Sequence, residues 1–264
     1  MRLAVSSLAL PAADAAALLP RLPALGVEGL ELAAPGLDAA GAERWRRQAG
    51  AAGLAMVGLH DLAEAAGLTD PLAEGAARRR ALARLAALSA LCRDIGGKTL
   101  IFRWQPRSGP PLLADGESWR RCRAFLEELL TAIEAHGTLL CLAPAAPAGP
   151  SAHECYLLAN ALDHPAFGLH LSAAGLAAGG EMGHATFAAV RGRLDHVHVD
   201  EPGGAEAGSG GRVDHADLRR HLAAISYRQW LTLVQRAPAS GDALAALERG
   251  LRFVSGCYLP VDRR

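Results

Sequence analysis

The stretch His196-Val-His-Val-Asp-Glu-Pro-Gly203 decides how this chain is read. Two histidines alternate with two valines, so an extended segment here has one polar and one apolar edge. A Pro-Gly pair then ends it. The pattern predicts a strand over 194–200 that runs into a glycine-rich loop over 201–213. His196, His198 and Asp200 share one face of that strand.

Working outward, seven more short apolar runs with few charges occur at 3–8, 29–33, 55–60, 99–104, 138–144, 167–173 and 230–236. Such runs suit parallel strands buried on both sides. Helical patterns separate them, near 13–23, 39–52, 73–95, 115–136, 152–161, 182–191, 214–225 and 240–254. Gly26, Gly53, Gly96, Gly97 and Gly137 fall between a helix and the next strand, where a left-handed cap is wanted. Asp214 and Asp242 suit helix N-termini. Eight β–α units in 264 residues predict one α/β domain over 1–264, a single (β/α)₈ barrel. A doubly wound open sheet is the alternative. The longest loops, 105–114, 145–151 and 201–213, follow strands four, five and seven. They lie at the C-terminal face, where such barrels place their sites.

Composition narrows the function. The 27 basic and 27 acidic residues balance, so the chain lacks the charge footprint of a nucleic-acid binder. None of the five cysteines forms a Cys-x-x-Cys pair, and an odd count argues against a disulfide framework. Buried thiols in a reducing cytoplasm are expected. The N-terminus reads straight into a strand, and no apolar run reaches the roughly 18 residues of a membrane span. The expectation is a cytoplasmic protein with a small-molecule substrate, no nucleic-acid or membrane partner, and a homodimer as a compatible assembly.

Several segments together resemble the sugar phosphate isomerase/epimerase family of xylose-isomerase-like barrels. They are Leu25-Gly-Val-Glu-Gly-Leu-Glu-Leu, Met56-Val-Gly-Leu-His60, Ala135-His-Gly-Thr-Leu-Leu-Cys-Leu, Asp163-His-Pro-Ala-Phe-Gly-Leu-His-Leu, His196-Val-His-Val-Asp-Glu-Pro and Tyr227-Arg-Gln-Trp-Leu-Thr-Leu. The resemblance implies a divalent ion held by Glu, Asp, His and Glu from strands five to eight. Here those positions read Ala143, Ser172, His198 and Val234. Hard divalent ions want carboxylate oxygens, and only the histidine remains. The expectation is therefore a barrel with no metal site and no cofactor.

Parity along the strands brings Glu31, His60, Arg103 or Trp104, Ser172 and His198 to the barrel mouth, with Asp61, Asp200 and Glu201 at its rim. His60 and His198 are the candidate general acid and base, since histidine titrates near neutrality. Glu31 orients one of them or carries a proton itself. Arg103, Trp104, Ser172 and Glu201 are the candidate substrate-binding residues. His170 and His196 are expected one layer lower, as packing groups. His136, His153, His164, His184, His215 and His221 are read as surface residues, with His153 and His215 near enough to the C-terminal face to touch a ligand. The reading that follows is a metal-independent isomerase-, lyase- or cyclase-type enzyme acting next to a carbonyl. A non-catalytic binding relic is the alternative, and a conventional metal-dependent sugar epimerase the third.

Overall fold

The computed structural model describes residues 1–11, 13–68, 74–103, 116–239 and 241–259. Eight strands form one closed barrel in sequence order. They are β1 (Arg2–Ser6), β2 (Gly29–Ala33), β3 (Ala55–His60), β4 (Thr99–Arg103), β5 (Leu139–Ala143), β6 (Phe167–Ser172), β7 (Leu194–Asp200) and β8 (Trp230–Val234). Every neighbouring pair is parallel, including β1 with β8. The fold is the expected single (β/α)₈ barrel.

The helices around it are α1 (Ala15–Leu18), α2 (Ala39–Ala51), α3 (Leu62–Ala65), α4 (Gly75–Asp94), α5 (Glu117–Ile133), α6 (Ala152–Leu162), α7 (Ala173–Gly179), α8 (His184–Val190), α9 (His215–Ala224) and α10 (Ala243–Tyr258). The helix expected over 13–23 survives only as four-residue α1. Two 3₁₀ turns follow, with Pro20 second in one and Pro23 first in the other, because proline lacks the N–H that would continue an α-helix. Ser172 caps α7, its hydroxyl accepting from Gly175 N. Among the described residues, no helix is long and apolar enough to cross a membrane.

The strands present two unlike faces. Leu3, Leu32, Phe102, Leu142, Leu171, Val197 and Leu233 are buried against the helices and belong to one large apolar core. Removing that surface from water supplies the main drive to fold. Inside the barrel, Ser6, Glu31, His60, His170, His196, His198 and Thr232 are buried instead. Ile101, Cys141 and Ala143 form a small apolar cluster of their own on β4 and β5.

Two register slips shape the interior. Between Leu30 and Glu31, β2 shifts against β3, and between Leu169 and His170, β6 shifts against β7. Val57 and Asp195 are the residues left unmatched. Such bulges re-aim side chains near working sites, and here the slips immediately precede Glu31 and His170.

Candidate functional site

Glu31 is the hub of the interior. It is fully buried, and its carboxylate accepts from His196 Nε2 at 3.0 Å and His198 Nε2 at 3.1 Å. Burial alone would raise its pKa, but the two histidines outweigh that and hold it well below the usual carboxylate range. Glu31 is therefore ionised and acts only as an acceptor. That fixes the tautomer of neutral His198: Nε2 carries the hydrogen and Nδ1 carries the lone pair. Burial pushes the His198 pKa down despite Glu31, so this ring is a neutral base at pH 7, and it lines the cavity at the mouth.

His60 is held differently. Its Nε2 lies 2.8 Å from Ser6 Oγ and its Nδ1 3.0 Å from Asp61 Oδ2. Burial lowers its pKa, but Asp61 and Glu31 more than reverse that, and the net direction is up. Asp61 sits at φ +58°, in the left-handed region that aspartate tolerates, which turns its carboxylate back onto the ring. The His60 and His198 rings are edge-on, with centroids 5.5 Å apart. Two neighbouring histidines with pKa values driven in opposite directions are the arrangement expected of an acid and a base.

The structure brings Glu31, His60, His198 and Arg103 together as expected. Arg103 lines the cavity with Asp61 and Asp200, and its charge bears on His60, Asp61 and His170. Ser172 is placed for another task. Its hydroxyl lies 2.9 and 2.8 Å from the two Asp200 oxygens and caps α7, so it orients Asp200. Glu201 borders the cavity, but Oε1 accepts from His215 Nε2 at 3.0 Å and Gly208 N at 3.2 Å. Trp104 lies outside the described residues. His215 is a correction to the surface reading. It is buried, and its Nδ1 lies 2.6 Å from the Tyr258 hydroxyl, which ties the loop after β7 to α10.

His170 and His196 sit in the lower layer. Both His170 ring nitrogens and His196 Nδ1 are buried without a hydrogen-bond partner among the described residues. Burial holds the His170 pKa well below its ordinary value, so this ring is neutral packing beneath His198, centroid to centroid 4.2 Å. Sequence reasoning missed Ser6, Gln235 and Arg236. Ser6 was readable, because it shares β1's parity with the inward Ala4 and ends its strand.

The metal that the resemblance implies does not fit these residues. Ala143 and Val234 offer no ligand atom, and the Ser172 hydroxyl is engaged by Asp200 and Gly175. Among the described residues, Glu31, His196 and His198 form a group with metal-ligand spacing. A histidine whose Nε2 binds metal carries its hydrogen on Nδ1 and almost always donates it to a partner. His196 Nδ1 has none. The hydrogen-bonded arrangement leaves a lone pair on that nitrogen.

The cavity encloses about 510 Å³, within the usual range for small-molecule sites. No curated protein sequence matches the chain significantly. Solved structures share its fold. D-psicose 3-epimerase from Clostridium cellulolyticum H10 superposes with a TM-score of 0.78 at 16% identity, covering 98% of this chain and 99% of that one. L-ribulose 3-epimerase gives 0.80 at 18% identity, covering 99% and 96%. The 3-keto-D-glucoside 4-epimerase of E. coli gives 0.77 at 16%, covering 97% and 100%. A family profile described as xylose isomerase-like TIM barrel matches residues 19–256, and with eight parallel strands closed in sequence order the chain belongs to that family.

Proposed function

We propose that the protein is a metal-independent isomerase- or lyase-type enzyme, acting by proton transfer next to the carbonyl of a small, sugar-like molecule. The fold neighbours named as sugar epimerases support the substrate class. One observation carries the chemistry: His198, whose Nε2 is engaged by Glu31 and whose ring lines the cavity, sits beside a histidine held by a carboxylate.

In this reading His198 Nδ1 takes a proton from the carbon next to the carbonyl. The C–H electron pair moves to the carbonyl oxygen, and Arg103 stabilises the enolate that forms. His60 returns a proton once the half-exposed Asp61 carboxylate turns off Nδ1. Return to the other face of the same carbon is epimerisation. Return to the former carbonyl carbon, with the hydroxyl proton of the first carbon passing to the enolate oxygen, is isomerisation. Loss of a β-hydroxyl as water is dehydration. Glu31 holds the His198 tautomer and takes no proton.

The test is solvent exchange. EDTA-treated protein is incubated in D₂O with a panel of ketoses, aldoses and uronates, and deuterium at the carbon beside the carbonyl is read by NMR. Exchange is expected without added metal. His198→Asn is expected to slow it by about 10²–10⁴-fold while melting as the parent does. Exchange that needs Mn²⁺, or that survives the substitution, contradicts the assignment.

A further inference from the structure

The cavity holds a second cation that this chemistry does not use. Resting on the reading above, we propose that the substrate carries an oxyanion, a carboxylate or phosphate, which Arg236 binds on the β8 side of the mouth. Arg236 follows β8 and lines the cavity. In a barrel closed in sequence order, β8 lies opposite β4, and so opposite Arg103 beside His60. The substrate would span the mouth, with its reacting carbonyl near Arg103 and its charged group on Arg236.

Two observations support this. First, Arg236 is exposed at the mouth and makes no side-chain hydrogen bond or ion pair with the described residues. Asp200 accepts from Ser172 Oγ and Ala174 N, and Glu201 Oε1 accepts from His215 and Gly208 N, while Glu201 Oε2 is buried without a partner among the described residues. Second, the turn beneath the arginine is shaped to hold its stem. Gly204 has φ +75°, and a Cβ there would lie 2.9 Å from Arg236 Cγ and 3.4 Å from Nε. Arg236 N also donates to Gly204 O at 2.8 Å. An arginine held on a glycine turn at the mouth of the cavity, and not paired with the Asp61, Asp200 or Glu201 carboxylates that also line it, is poised for bidentate recognition of an oxyanion. The loops after strands seven and eight are where barrels commonly bind phosphate.

The experiment is calorimetric titration, at low chloride, of the parent, Arg236→Gln and Arg236→Lys proteins. The probes are inorganic phosphate, D-glucuronate and D-glucose 6-phosphate, with D-glucose as the uncharged control. At least one anionic probe is expected to bind tenfold or more tightly than D-glucose. Arg236→Gln is expected to lose tenfold or more of that affinity, and Arg236→Lys less. Preference for the glucuronate or the phosphate arms identifies the oxyanion. Equal binding of charged and uncharged probes, or unchanged affinity in a folded Arg236→Gln protein, overturns the proposal. These readouts need no turnover. A failed subsite is thereby distinguished from a failed acid/base reading, which the His198→Asn exchange experiment tests.

Discussion

The two faces of the same eight strands obey different rules. The outer face is leucine, valine and phenylalanine packed under helices, where any well-fitting apolar residue would serve. The inner face buries a glutamate and four histidines, groups that cost free energy to desolvate unless each finds a partner. Glu31, His60, His196 and His198 have partners; His170 has none among the described residues. The difference separates two tasks. The outer face holds the barrel closed, and the inner face is kept polar at a stability cost, which is the pattern of a working site.

Substitutions can break that comparison. The largest effect on stability is expected on the outer face. Leu171→Ala removes a fully buried side chain from the main core and is expected to cost about 2–5 kcal/mol in chemical denaturation. A cost below about 1 kcal/mol would mean that the outer face is not what holds the barrel.

On the inner face the effects are smaller and depend on pH. His60 has a raised pKa and Asp61 a lowered one, so their attraction is complete only where both are charged. The His60 contribution is present below its unfolded value near 6.5 and is lost as pH rises through the folded value. The Asp61 contribution is present above its unfolded value near 4 and is lost at lower pH. Asp61→Asn keeps the left-handed backbone and is expected to cost about 1 kcal/mol near pH 5–6, a figure reduced because Asp61 is half exposed. The cost should shrink above pH 8. A difference that grows with pH would contradict the pairing.

Asp195, the unmatched residue of β7, has the opposite sign. Burial raises its carboxyl to about 6, against partial relief from Arg193. A carboxyl that holds its proton more tightly when folded loses stability for the protein as pH rises from about 4 to 6. Asp195→Asn is expected to be more stable than the parent by about 1 kcal/mol at pH 8, discounted for its partial exposure. At pH 4 the two should melt alike. Equal melting at both values would remove Asp195 as a strained group.

Much of this was legible in the sequence. The strands fall within about two residues of their expected ends, because each buried run is bounded by glycine, proline or a capping residue. Strand parity also brought Glu31, His60 and His198 together. Three things were hidden. The slips before Glu31 and His170 depend on pairing between strands, which no single run encodes. Ser172 read as a substrate ligand because α7, the short Ala/Gly-rich helix it caps, lacks an amphipathic stripe. His215 read as a surface residue because its partners, Glu201 and Tyr258, lie 14 and 43 residues away.

The measurement that tests the central claim most directly is metal binding by the purified, tag-free protein. Elemental analysis is combined with melting in EDTA and in Mn²⁺. The account predicts no stoichiometric metal and a melting temperature that neither addition moves. Near-stoichiometric metal, or a melt raised by Mn²⁺ as ligand linkage requires, would make Glu31, His196 and His198 ligands and contradict acid/base catalysis by free histidines.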